Sequence, residues 1–312
     1  MRTHVKLNRM RLLSLVLSLG AALVTVGHSF AADPPEDAPS PAQQQAQAAW
    51  QAAGAAMIHG PNTIELRDQA QLALPSGYGF IPQKPAAELM RSMGNRTGDD
   101  FIGLIFPESE QPWFVSIQFE DSGYVKDDDA KNWNADELLQ SLKDGTEAGN
   151  EEREQMGIPA LKVTRWVEEP KYESGSHRLV WSAEAMLKDQ DDPDPTINYN
   201  TYALGRDGFI SLNLVTTSST VEADKLSAQE LLSAVAFNDG KRYTDFDAST
   251  DKVAAYGLAA LVAGVAAKKL GLLAIAGAFT LKFAKVIALA AVALGGGLWS
   301  RIRGRKDSGT PV

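Results

Sequence analysis

The sequence predicts an α+β fold, a mainly antiparallel sheet with packed helices, plus a C-terminal transmembrane helical tail. Three observations lead there. Four runs of strand pattern follow one another between residues 161 and 216 with no helix between them, unlike the βαβ alternation of a parallel sheet. The last two runs are joined by G-R-D-G, a hairpin signal. Helical stretches are inserted before and after this block rather than within it.

Taken in order, the first residues place Arg2, Lys6, Arg9 and Arg11 ahead of an apolar run from Leu12 to Val26 and then Ser29, Phe30 and Ala31. That is the pattern of a signal peptide over residues 1–31, cleaved after Ala31. The apolar run is shorter than the ~20 residues a membrane span needs. An uncleaved anchor is the alternative, and in either case the chain beyond Ala31 is exported. Residues 32–59 are a Pro/Ala/Gln-rich linker and helix. D-P-P-E-D-A-P-S-P is a spacer that cannot pack, and Ala42 to Met57 favours a helix that is either mobile or docked through Trp50.

An extracytoplasmic α+β domain is expected over 60–248. Thr63 to Leu66 and Gln69 to Leu74 read as strands around a turn at Arg67 and Asp68, ending in the breaker L-P-S-G-Y-G-F. A helix from Lys84 to Met93 stops at Gly94. Phe101 to Phe106 and Trp113 to Phe119 are strands; in the second, Phe114, Ser116 and Gln118 alternate with Val115, Ile117 and Phe119, so one face is buried. Asn134 followed by Glu137 starts a helix with a capping-box pattern. The four-strand block is Leu161 to Glu168, His177 to Leu187, Ile197 to Leu204 and Phe209 to Thr216. Thr220 caps a closing helix carrying Leu226, Leu231, Leu232 and Val235.

Residues 249–303 read as a membrane-associated helical tail, with a basic cytoplasmic end at 304–312. One helix from Val253 to Trp299 would be about 70 Å long against a ~30 Å hydrocarbon core, so it must break or lie partly in the interface. Phe283 to Ser300 is the best span, with Trp299, Arg301 and Arg303 as interfacial anchor, and a single pass leaves the basic cluster inside. The alternative is a hairpin whose first arm carries Ala255, Ala259, Ala263 and Ala267 on one face. Asp251, Lys252 and Tyr256 form a membrane-entry motif, with Lys252 at the headgroups and Tyr256 in the aromatic belt.

Charge follows the same partition. The net charge is −9, yet 38 of the 39 acidic residues lie between Asp33 and Lys252, while 12 of the 30 basic ones lie outside. Such a domain is repelled by nucleic acid and attracts cations or basic partners. The absence of cysteine excludes disulfides, thiol nucleophiles and iron–sulfur clusters. Past the leader only His59 and His177 remain, neither in a metal-ligand spacing, and no G-x-S-x-G is present. The acidic runs at Asp127 to Asp129 and Asp189 to Asp194 miss the EF-hand pattern; counted from Asp189, Pro193 takes the third ligand position and no glycine stands at position six. No catalytic, cofactor-binding or metal residue is therefore assigned, and no cofactor is expected. Trp113, Trp166 and Trp181 fall on strands, as core residues or as the lining of a sugar or peptide groove.

Three stretches resemble a known family. G-P-N-T-I-E-L, L-P-S-G-Y-G-F-I-P and, most specifically, T-D-F-D-A-S-T-D-K-V-A-A-Y-G-L from Thr244 to Leu258 are similar to the bacterial membrane-anchored proteins of domain of unknown function 2167. The resemblance implies an envelope protein and brings no catalytic residues. Y-A-L-G-R-D-G-F-I-S-L-N-L-V, a helix and A-F-N-D-G also resemble the closing elements of PsbP-like and DcrB-like domains. The expected function is that of a non-enzymatic interaction or scaffold protein at the bacterial inner membrane, with a periplasmic domain. Its expected partners are membrane lipid and a membrane protein or second copy. The competing readings are a tethered hydrolase using His177 and nearby carboxylates, and a calcium- or small-ligand-binding domain.

Overall fold

Eight strands form one antiparallel sheet, and both of its faces are covered. The computed structural model describes residues 41–263 except 94, 110 and 156–158. The leader, the stop at Gly94, the span at 283–300 with Trp299, Arg301 and Arg303, and the basic end lie outside the described residues. Among the described residues no helix is long and apolar enough to cross a membrane.

The chain runs through α1 (Pro41–Ala55), the short β1 (Ile58–His59), the hairpin β2 (Asn62–Leu66) and β3 (Ala70–Leu74), then β4 (Tyr78–Pro82) and α2 (Gln83–Ser92). It continues through β5 (Phe101–Pro107), β6 (Phe114–Glu120), β7 (Tyr124–Lys126) and α3 (Ala135–Gln155). Next comes a four-strand meander of β8 (Leu161–Glu173), β9 (Arg178–Leu187), β10 (Thr196–Leu204) and β11 (Phe209–Thr217). The last elements are α4 (Val221–Ser233), β12 (Val235–Phe237), β13 (Val253–Gly257) and α5 (Leu258–Val262). The main sheet has the order β1-β4-β5-β6-β11-β10-β9-β8; β12-β3-β2 and the parallel pair β13-β7 form two smaller sheets.

Period-2 alternation sends Ile210, Leu212 and Leu214 of β11 to one face, with Val115 and Ile117 of β6 and Ile197 and Tyr199 of β10 beside them. That face is covered by α4 and by Ile64, Leu66, Leu72 and Leu74 of the small three-stranded sheet. The opposite face carries two separate apolar clusters. At one end α1 and α2 pack Trp50, Leu89 and Met90 onto Ile81, Leu104 and Phe106. At the other, α5 packs Leu258, Leu261 and Val262 with Leu179, Trp181, Leu204 and Phe209.

Several expectations change. Trp50 docks α1, its ring 5.5 Å from that of Phe106 in an edge-to-face pair. Both faces of β6 are covered, since Phe114 and Ser116 are buried, as Val115 is. Within the expected breaker, Tyr78 to Phe80 already belong to a strand, because pairing with β5 outweighs the weak strand propensity of Gly79. Asn134 does cap α3, its Oδ1 accepting the N–H groups of Asp136 and Glu137 at 2.9 and 3.2 Å. Thr220 stands at the N-cap of α4 without a side-chain cap bond. Leu226 points to solvent, 62% exposed, and Val235 leaves the helix to pair with Leu72. The folded unit also runs past 248, through β13 and α5 to Ala263.

Leu212 is fully buried at the centre of the sheet. Leu212→Ala is expected to cost about 2–5 kcal/mol in urea unfolding, whereas Leu226→Ala is expected to change stability by less than about 0.5 kcal/mol.

Candidate functional site

The segment from Thr244 onward is bonded back to the domain at several points along its described length. The GRDG hairpin tip makes this possible. Gly208 has φ +156, and a Cβ there would lie 1.8 Å from the carbonyl oxygen of Glu120, so only glycine allows the turn to press against the β6–β7 loop. Arg206 of that tip reaches Asp251 through two parallel bonds, Nε to Oδ2 at 2.7 Å and Nη2 to Oδ1 at 2.8 Å. Asp251 also accepts the Asp247 N–H at 2.7 Å. The Arg206 guanidinium, foremost among these, holds the Asp251 carboxyl far below the usual carboxylate range.

Three further contacts continue this clasp. The Lys252 carbonyl accepts the Tyr124 N–H at 2.8 Å, which starts the parallel pairing of β13 with β7. The Asp129 carboxylate accepts the N–H groups of Leu258 and Ala259 at 3.2 and 3.0 Å, capping α5 from a distant part of the chain. Gly257 leaves room for that carboxylate, which would stand 2.4 Å from a Cβ. Tyr256 packs its ring into the cluster around Trp181 and Tyr202, and burial raises the pKa of its hydroxyl. Asp251, Lys252 and Tyr256, read from sequence as a membrane-entry motif, are thus all built into the folded domain.

Beside the clasp lies a cleft of about 410 Å³. Its walls come from the β2–β3 turn, the loop after β6, the hairpin tip and the clasp itself, bringing Arg67, Asp121, Lys241 and Lys252 together. Lys241 is held by Asp207 at 2.7 Å and Asp68 at 3.5 Å. Arg67 sits at φ +60, a left-handed conformation that costs a residue with a Cβ about 1 kcal/mol or more relative to glycine. Next to the cleft, burial and the neighbouring Asp100 and Asp121 raise the pKa of Glu120.

A second constellation surrounds His177, which lies in the β8–β9 turn at φ +53 rather than in a strand. Its ring lies against Tyr243 with centroids 4.2 Å apart; Tyr243 stacks on Tyr124 at 4.3 Å, and Tyr124 on Phe246 at 3.8 Å. The Tyr172 hydroxyl donates to Asp127 at 2.7 Å and meets His177 Nδ1 at 3.2 Å. Burial lowers the His177 pKa, against the pull of Asp127. No serine hydroxyl bonds to this ring among the described residues; Ser176 donates to Glu173 instead.

The other sequence candidates serve the fold. His59 pairs with Glu108 at 2.6 Å on the surface. Asp127 and Asp129 hold Tyr172 and α5, and Asp194 accepts the Ser219 N–H at 2.7 Å. Among the described residues no three His, Asp or Glu side chains gather as a metal site. Trp113 is buried in the core, while Trp166 and Trp181 meet edge-to-face at 5.8 Å, so the three do not line one groove.

The low Asp251 pKa fixes a sign. The stability this carboxylate contributes is present above its unfolded pKa of about 3.9 and is lost as pH falls through the lower folded value. Arg206→Ala is expected to lower stability at neutral pH and to flatten the pH dependence below about pH 4, as read from urea midpoints across that range.

A family model described as "Protein of unknown function (DUF2167)" matches residues 58–295. No curated protein matches the sequence. Among solved structures, the solution structure of cyanobacterial PsbP (CyanoP) from Synechocystis sp. PCC 6803 is 12% identical with a TM-score of 0.37, covering 58% of this chain and 91% of that one. PA94 from Pseudomonas aeruginosa, a protein of unknown function, is 10% identical with a TM-score of 0.21, covering 54% and 91%. Both are distant resemblances in fold, and nothing about activity is taken from either. The family match spans most of the sequence and includes the clasp, and the chain belongs to the DUF2167 family of proteins of unknown function.

Proposed function

We propose that this chain is an extracytoplasmic envelope protein held at the bacterial inner membrane by its tail, and that its folded domain is a non-enzymatic interaction module. The observation that carries the reading is the clasp. A domain that only needed tethering would end in a loose polar linker, whereas here the segment leading to the apolar tail is pinned by a bidentate ion pair, a strand pairing and a capped helix. Pinning fixes the direction in which the chain leaves the domain. That is useful when a surface must be presented to a partner at a set orientation to the bilayer. The leader, the acidic domain and the basic end agree with it, as does the engagement of His177 by tyrosines.

The test uses the tagged full-length chain, gently solubilised from native membranes. It is compared with a truncation after Ala263, which spares the clasp, and with Arg206→Ala. The full-length chain is expected in the membrane fraction with a stoichiometric partner or as a homo-oligomer. The truncation is expected to stay folded but to leave that fraction and lose the partner, and Arg206→Ala to keep the membrane while weakening the complex. A full-length chain recovered as a lone monomer, or outside the membrane fraction, would contradict the proposal.

A further inference from the structure

We infer that the charged cleft beside the clasp binds a small zwitterion, a free amino acid or a dipeptide. The cleft volume, about 410 Å³, falls in the range of small-molecule sites. Its charges are not mutually satisfied. Lys241 is neutralised by Asp207 and Asp68. Arg67 donates to the backbone carbonyl of Asp99 and is drawn to the Asp100 carboxylate, and Lys252 reaches the Asp121 carbonyl at 3.4 Å and is drawn to Glu120, yet neither cation has a carboxylate within ion-pair distance among the described residues. The Asp121 carboxylate likewise has no ion-pair partner among them. Two cations and one carboxylate therefore line the same space without a direct ion pair, a pattern suited to a ligand bearing one carboxylate and one ammonium group.

One further observation agrees with this. Arg67 occupies a left-handed turn position that favours glycine, so its side chain is kept there at a conformational cost. The cleft also shares Lys252 with the clasp, which puts an occupied cleft in contact with the segment leading to the tail. The inference is independent of where the chain resides.

Arg67→Gly separates binding from folding, because glycine relieves the turn while removing the cation. The full-length chain would be titrated by calorimetry and thermal unfolding with alanine and alanyl-alanine, and with alaninamide, N-acetylalanine and acetate as controls. One of the two zwitterions is expected to raise the unfolding temperature and to bind at least tenfold more tightly than any control. Preference for alanine identifies a free amino acid, and preference for alanyl-alanine a dipeptide held at both termini. Arg67→Gly and Lys252→Ala are each expected to weaken binding at least tenfold, with Arg67→Gly no less stable than the parent. No binding at millimolar concentration, equal binding of a control, or binding unchanged in both variants would overturn the inference.

Discussion

The ion pair between Arg206 and Asp251 joins the two parts of the molecule that matter most for its geometry. Arg206 stands on the tip of a hairpin built from two central strands of the sheet, and Asp251 stands where the chain begins its final described segment. Because the hairpin is fixed by pairing on both sides, whatever it grips is fixed too. Everything after Asp251 inherits that position: β13 lies down along β7, Asp129 caps α5, and α5 closes the apolar cluster over Leu204 and Phe209. A planar guanidinium with two parallel bonds sets both distance and direction, which a lysine could not do.

The sheet makes this arrangement possible because neither of its faces is left open. One face is closed by a helix and a small sheet, the other by two groups of helices at opposite ends. The second group is incomplete without the clasp, since Leu258, Leu261 and Val262 are among its buried residues. Burying several aliphatic side chains at roughly 25 cal/mol per Å² is ample reason for this segment to fold onto the sheet. Clasp and cleft are thus parts of one construction: the hairpin tip that holds Asp251 through Arg206 also lines the cleft through Asp207, and Lys252 belongs to both.

Much of this fold was legible in the sequence. The run of four strands, the GRDG turn and the Asn134 cap each carry a local signal that the structure repeats. What was not legible depended on contacts between distant residues. Arg206 and Asp251 lie 45 residues apart, and nothing in either neighbourhood announces the other. Strands β7 and β13 span three and five residues, too few to display a period. Residues 253–263 are apolar, and an apolar run that closes a core reads the same as one that enters a bilayer. The cleft was hidden for a related reason: Arg67, Asp121 and Lys252 look like ordinary solvated charges until the fold brings them to one place. The family motif was found by resemblance, but its physical role as a clasp emerged only from its partners.

Hydrogen exchange of the full-length chain, read residue by residue, tests the central claim that the segment after Asp251 is part of the folded domain. The account predicts that the amides of Leu258 and Ala259, bonded to Asp129, and of Tyr124, bonded to Lys252, are protected to a degree comparable with the β10–β11 hairpin. Exchange of those three amides at the rate of an open chain, with the hairpin still protected, would contradict it.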